Sequence, residues 1–506
     1  MAKKIAIIGA GPGGLAAGMI LARRGFDVSI YEKDAVVGGR NKPLELNGYT
    51  FDTGPTFLMM KFILDEMFQE AGTDAQQWLD FIRLDPMYRL RFVDKEVLVS
   101  DDHEKMKDAI KRAFPGEETG LERFLQKEGT RLRYLFPCLQ KPYSSIFDMV
   151  SAPLIKALPH LDLGTSVFQA LGRYFSSEQL RICFTFQSKY LGMSAWECPA
   201  AFAMIAYIEH NWGIYHVRGG LNKISHAMAW VFRNNGGKLY LSTPVTRVLT
   251  RGNRACGVEL ADGTKVAADD VVVNADFSYA VTTLMDRAQV RKYAPERLAR
   301  KKYSCSIFLM YLGINKRYDQ IPHHNIFFAK NYRKNVEDIF TRLTLSDEIS
   351  FYVHNAAILD HSLAPPGKST IYILVPVPNL QGQVNWKQEQ GAFRERVLEE
   401  VVKRTEMKDL RGHIEVEKVY TPETWRDEFN VYYGATFNLG HTLRQMLYFR
   451  PHNRFECLEN CYLVGGGTHP GSGLPTIYES GRIAANLISK KYGVPFTPPT
   501  PLDSKM

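Results

Sequence analysis

The sequence predicts an α/β fold. It has a discontinuous Rossmann-like dinucleotide-binding domain, a second α+β domain, and a helical part able to associate with a membrane. Three observations carry this reading. A strand–glycine loop–helix unit opens the chain, a second glycine-rich unit follows more than four hundred residues later, and runs of short strands lie between them.

The opening unit starts with the apolar run Lys4-Ile5-Ala6-Ile7-Ile8, which leads into Gly9-Ala10-Gly11-Pro12-Gly13-Gly14. A helix of small residues follows from Leu15 to Arg24, and Gly25 stops it. Gly9 suits a tight turn, Gly11 lets backbone approach a pyrophosphate, and Gly14 lets helix and strand pack closely. Phosphates would then sit at a helix N-terminus, where free N–H groups and the dipole favour negative charge. A second strand, Asp27 to Tyr31, ends on Glu32, eighteen residues beyond Gly14. A carboxylate there is placed for ribose hydroxyls. Val37-Gly38-Gly39-Arg40 comes next.

This motif alone does not separate NAD from FAD; the far end of the chain does. Cys461 to Val464 reads as a short buried strand, and five glycines fall within positions 465 to 473. Thr476 and Glu479 have capping-box spacing at the head of a helix carrying Ile483, Ala484, Leu487 and Ile488 on one face. A second glycine loop exceeds what NAD requires. It suits a cofactor with an isoalloxazine ring as well as an ADP moiety, so FAD is expected.

The 506 residues are too many for a single core, and 45% hydrophobic with 23% charged residues is ordinary globular composition. Seven scattered cysteines form no Cys-x-x-Cys pair, so free thiols in a reducing cytoplasm are expected and no metal site. The first strand begins at residue 4, which leaves no room for a signal peptide. The longest apolar runs, such as Ala200 to Ile208, are about half a membrane span. The net charge of +9 is spread along the chain, without the basic, aromatic blocks that suggest nucleic acid.

From Arg131 to Arg181, six basic and three acidic residues accompany many large apolar ones. Ile146, Val150, Leu154 and Leu158 recur every four residues behind Ser145 and Asp148, with Pro153 and Pro159 set to kink or divide the helix. Such a segment suits a membrane surface or, equally, a helical subdomain with its stripe in the core. Further on, Leu239–Leu241, Val245–Leu249, Gly257–Leu260 and Val271–Asp276 read as short strands, with an Asp262-Gly263 hairpin turn. Arg89–Val99, Ser304–Ile314 and Thr370–Val377 read as a second sheet. The expected division is 1–85, 216–290 and 455–493 for the FAD-binding domain. Residues 86–215 and 291–454 form the substrate and membrane-associating domain, and 494–506 a disordered tail.

The motifs at Gly9–Gly14, Glu32, Val37–Arg40, Phe51-Asp52-Thr53-Gly54-Pro55-Thr56 and Gly465–Pro475 resemble those of the bacterial-type phytoene desaturases. These carotenoid dehydrogenases include C30 dehydrosqualene desaturases and share an amine-oxidase-like flavoprotein fold. Tyr303–Ser306, Pro322–Asn325 and Leu363–Lys368 extend the resemblance over essentially the whole chain. It implies FAD, a long apolar isoprenoid substrate, and peripheral attachment to the inner face of the cell membrane from the cytoplasm. Residues expected at the adenosine and pyrophosphate part are Gly9, Ala10, Gly11, Gly14, Glu32, Lys33, Gly38, Gly39, Arg40 and Val245. Around the ring the set is Gly54, Pro55, Thr56, Asp276, Gly466, Gly467, Gly473, Leu474, Pro475 and Thr476.

The implied reaction is successive dehydrogenation of a linear polyene, C40 phytoene slightly favoured over C30. A terminal-methyl oxygenase on the same scaffold and a non-catalytic prenyl-escort protein are the alternatives. Positioning the chain beside a flavin and excluding water is sufficient chemistry, so no base is assigned. His216, Arg218, Glu209 and His210 are as readily structural as catalytic. Phe57 to Met60 would suit either an apolar tunnel or a core. The sequence does not fix the oligomeric state.

Overall fold

The computed structural model describes residues 2–502. A five-stranded parallel sheet runs in the order Cys461–Leu463, Asp270–Val273, Lys4–Ile8, Asp27–Tyr31, Lys238–Tyr240. Of its three inner strands, Asp270–Val273 is buried throughout and Lys4–Ile8 at every residue after Lys4, as a parallel sheet covered on both faces requires. The first helix (Pro12–Arg23) packs between the last helix (Leu474–Lys491) and the helix Asn222–Asn234. A Cβ on Gly481 would stand 2.7 Å from the Gly13 carbonyl, so only glycine allows the first and last helices this approach. Arg482, buried on the last helix, donates to Glu66 at 2.6 Å and to Glu479 at 2.9 Å. The N-terminal and C-terminal parts of the chain are thereby locked together.

A mixed seven-stranded sheet lies beside it. Its order is Ile414–Tyr420, Ser306–Ile314, Ser369–Val377, Phe351–Asn355, His324–Phe327, Tyr88–Arg91, Glu96–Val99. All its pairings are antiparallel except His324–Phe327 with Tyr88–Arg91. Ser306–Ile314 is buried at every position. Phe308, Met310 and Leu312 pack with residues of the helix Trp386–Arg404, whereas Ile307, Leu309 and Tyr311 belong to a separate cluster on the opposite face. A three-stranded antiparallel sheet covers Val245–Arg251, Arg254–Leu260 and Lys265–Ala267, with the Asp262-Gly263 turn between the last two.

The four-residue recurrence from Ile146 does not make one helix. The chain forms three short turns, Ile146–Val150, Ala152–Ala157 and Leu158–His160, because Pro153 and Pro159 each lack the N–H that would continue the ladder. Ser145 and Asp148 do form a capping box. The predicted box at Thr476 and Glu479 does not form. The last helix starts two residues earlier, at Leu474, and Thr476 Oγ1 donates to the Gly473 carbonyl. Glu479 is buried and needs its cation, Arg482, more than a backbone N–H.

Residues 494–502, expected to be disordered, carry the Phe496 ring under the Arg24 guanidinium and the buried Leu502. Residues 503–506 of that tail lie outside the described part.

Candidate active site

Gly9, between the first strand and the first helix, has φ +94°, and a Cβ there would meet the Asn274 carbonyl at 2.5 Å. Asn274 in turn donates from Nδ2 to the Gly9 carbonyl at 3.0 Å. A Cβ on Gly14 would lie 2.3 Å from the Gly9 carbonyl oxygen. Both glycines are therefore required by the protein's own packing. Gly11 differs. It caps the first helix in ordinary extended geometry, and a Cβ there meets only the Asn274 side chain at 3.0 Å and the Gly38 carbonyl at 3.9 Å.

Gly473 caps the last helix at φ +116°, a conformation that favours glycine, and only Thr476 Oγ1 comes within 4 Å of a built Cβ, at 3.4 Å. Neither cap has a side-chain partner. Two helix N-termini with free N–H groups thus line one cavity, which is the arrangement that favours anionic ligand groups.

The cavity encloses about 650 Å³. At its glycine-loop end Glu32 is buried, its Oε2 accepting from Ala10 N at 2.7 Å and its Oε1 from Asp34 N at 3.0 Å. Burial pushes the Glu32 carboxyl up, and the two N–H groups oppose that. Arg40 spans toward the other end, donating to the Thr436 carbonyl at 2.6 Å and to Asn438 Oδ1 at 3.0 Å, with Asp276 at 4.0 Å. Asp276 also accepts from Tyr279 N at 3.1 Å. Asn438 donates to Ser472 Oγ at 3.3 Å, next to Gly473.

Of the residues expected to bind the cofactor, Gly9, Gly11, Glu32, Lys33, Gly39, Arg40, Gly54, Pro55, Thr56, Val245, Asp276, Gly466, Gly473, Leu474 and Pro475 line the cavity. Ala10, Gly14, Gly38, Gly467 and Thr476 stand behind that lining. Gly38 donates its N–H to the Ala10 carbonyl at 2.9 Å, and Gly467 packs on Phe277. Phe57 and Met59 line the cavity, while Leu58 and Met60 are core. His216, Glu209, His210 and Arg218 lie outside the lining. Glu209 accepts from Tyr88 and Gln187, burial takes His210 down to about 4, and Arg218 pairs with Asp80.

The seven-stranded sheet supplies what sequence reasoning missed. Tyr311 donates to the Thr53 carbonyl at 2.6 Å and Tyr372 to the Gly54 carbonyl at 3.3 Å, and Tyr352 meets Thr56 Oγ1 at 2.9 Å. Three tyrosines therefore hold the Gly54-Pro55-Thr56 loop. The continuous apolar run from Ile307 to Leu312 marks a buried strand, but it carries no signal for which face Tyr311 takes.

Behind Tyr352, four buried histidines pack together. His324 Nδ1 meets the Tyr352 hydroxyl at 2.7 Å, His354 meets His323 at 2.9 Å, and His216 meets Asp360 at 2.9 Å. Burial and mutual proximity hold His323, His324 and His354 well below the usual range, so these imidazoles are neutral.

Away from the glycine loops the lining is apolar and aromatic: Phe57, Met59, Phe186, Ile307, Ile326 and Leu374. One cavity therefore offers a dinucleotide cradle and a dry wall together. The residues fit FAD, because the two helix caps leave open the space a side chain would fill and Glu32 faces the same cavity.

Comparison with known proteins agrees. Residues 12–489 match the family of flavin-containing amine oxidoreductases. The chain is 52% identical to a 4,4'-diapophytoene desaturase (4,4'-diapolycopene-forming) of Methylomonas sp, over 98% of this chain and 96% of that one. It is 32% identical to a phytoene desaturase (lycopene-forming) of Pantoea ananas, over 96% and 99%. Among solved structures, an oxidoreductase from Methanosarcina mazei superposes with TM-score 0.63 at 17% identity, over 96% and 100%, a likeness of fold alone.

Proposed function

Because the chain belongs to the flavin-containing amine oxidoreductase family, we propose that it is an FAD-dependent desaturase of carotenoid biosynthesis that acts on a linear C30 polyisoprenoid. The observation that carries this reading is the single cavity joining the two-glycine-loop cradle to an apolar, aromatic wall. The relative at 52% identity moves the choice from C40 phytoene toward C30 dehydrosqualene. When bound, FAD supplies a two-electron acceptor stronger than a nicotinamide, which removal of hydrogen from an allylic CH–CH bond requires.

The protein's own share is placement and dryness. The Gly54–Thr56 loop, pinned by Tyr311, Tyr352 and Tyr372, and the Gly473 helix cap would hold the flavin ring between them. Phe57, Met59 and Phe186 lay a polyene alongside it and exclude water. The helix N-terminus at Gly473 would favour negative charge on a flavin held there.

The exposed apolar residues of the helical part support access from a lipid surface. No helix among the described residues is long and apolar enough to cross a membrane. Phe147 is 79% exposed and Val150 66%, with Ile146, Ile155, Leu158 and Leu163 also exposed. The turn Leu447–Phe449 packs against Ile146–Val150 and adds Phe449. Lys156 and Arg444 are exposed among these residues. A contiguous apolar patch with basic residues is the form of a surface that rests in a bilayer interface.

The direct test is expression in cells that make dehydrosqualene or phytoene, with pigments read by mass spectrometry. Products short of hydrogen in pairs support the reading. Oxygen in the product would instead select the terminal oxygenase.

A further inference from the structure

Each desaturation releases a proton as well as a hydride, and a water-excluding cavity must offer that proton an acceptor. The cavity has few groups able to take it. Glu32 is engaged by two backbone N–H groups, Lys33 donates to Asp34 at 3.2 Å and to the Glu428 carbonyl at 2.6 Å, Asp34 also pairs with Lys42 at 2.8 Å, and Asp276 faces Arg40 and caps a helix. Burial pushes the phenols of Tyr352 and Tyr372 and the thiol of Cys305 up, the last to about 12, so none of these is a base near neutrality.

Lys189 remains. It lines the cavity on the short helix Phe186–Leu191, beside Phe186 and Cys305. Gly192, at φ +62°, ends that helix, and its carbonyl accepts from Cys305 N at 3.2 Å. A Cβ on Gly192 would lie 2.4 Å from Ser304 Cβ, so this close seat needs glycine. Ser304 Oγ accepts from Phe437 N at 3.0 Å, and Asn438 continues to Ser472 and the cap of the last helix. Lys189 is therefore anchored to the end of the cavity that carries the second glycine loop.

Among the described residues no carboxylate pairs with Lys189. The groups facing it are the Tyr332 ring, 4.6 Å from Nζ on the helix Tyr332–Glu337, and the Cys305 thiol at the start of the strand Ser306–Ile314. An unpaired ammonium in an apolar cavity is costly, which favours the neutral amine. Desolvation takes Lys189 down to about 8.

We propose that Lys189 is the base that accepts the proton released with each new double bond, an assignment that rests on the desaturase reading. With FAD bound as the hydride acceptor, one carbon of a saturated CH–CH pair would lose a hydride to it, and the neighbouring carbon would give a proton to the Nζ lone pair. The electron pair of the second C–H bond becomes the new π bond. The ammonium then returns its proton to water at the cavity mouth.

The test uses flavin-loaded protein on liposomes containing dehydrosqualene, comparing wild type with Lys189→Met. The variant should keep its flavin spectrum and KM while kcat falls about 100-fold or more. Added ethylamine should restore part of the rate. Wild-type kcat should rise with pH through about 8, and the variant should lose that limb. A Lys189→Met protein with full rate and an unchanged pH profile overturns the proposal. Should the variant misfold, a wild-type kcat that stays flat across the same pH range overturns it too. A flavin-loaded wild type that makes no product overturns the desaturase reading itself, and this proposal with it.

Discussion

At the end of the cavity that carries the first glycine loop the protein presents backbone, whereas at the opposite end it presents side chains. The first end is built from Gly9, Gly11 and Gly14, whose local geometry is fixed by Asn274 and by two N–H groups on Glu32. The second end is a wall of Phe57, Met59, Phe186 and Leu374 with Lys189 among them. Backbone sites tolerate almost no change and bind one kind of ligand. Side-chain walls can be recut, so substrate length and the fate of the proton belong there.

The largest expected effect breaks the first end. Gly11→Val should remain folded, because its side chain meets no backbone closer than the Gly38 carbonyl, yet lose all FAD. Gly14→Val should instead fail to fold, since its Cβ lands on the Gly9 carbonyl. Circular dichroism together with flavin release on denaturation separates the two outcomes. If Gly11→Val protein stays yellow, the assignment of that loop is wrong.

Next in size is Arg482→Met, which strands buried Glu66 and Glu479 and should cost about 3–5 kcal/mol of stability, seen as a lowered Tm. That variant tests whether the two glycine loops share one rigid support. A smaller effect is expected at the membrane-facing patch. Replacing Phe147 and Ile155 together by Asp should remove about 1.5–3 kcal/mol per side chain of liposome binding, while activity in detergent stays near wild type. Unchanged sedimentation with liposomes would contradict the role of that patch.

The smallest change in rate is expected for His210→Ala and His216→Ala. Each should lower kcat by less than about ten-fold at full flavin occupancy, because neither lines the cavity and loss of a true base costs about 100-fold or more.

The same contrast explains what the sequence revealed. Glycine loops are legible because their spacing is dictated by turn, pyrophosphate and helix packing, all local in the chain; Gly9 to Glu32 and Gly465 to Pro475 could be read directly. The strands Ser306–Ile314 and Ser369–Val377 were legible from their apolar runs. Tyr311, Tyr352 and Tyr372 were not, because their role depends on which face of a sheet meets the Gly54 loop, a long-range fact. The division of the segment from Ile146 was also legible, since Pro153 and Pro159 are local signals and the chain breaks into short turns around them. Lys189 carries no local signal at all. Its meaning comes from Cys305 and Tyr332, more than a hundred residues away.

The central claim is that one cavity brings flavin and polyene together. Anaerobic mixing of the flavin-loaded protein with dehydrosqualene in liposomes, followed by absorbance and product mass, tests it most directly. Bleaching of the flavin in step with a product two hydrogens lighter is the predicted result. A flavin that stays oxidised beside unchanged substrate would contradict it.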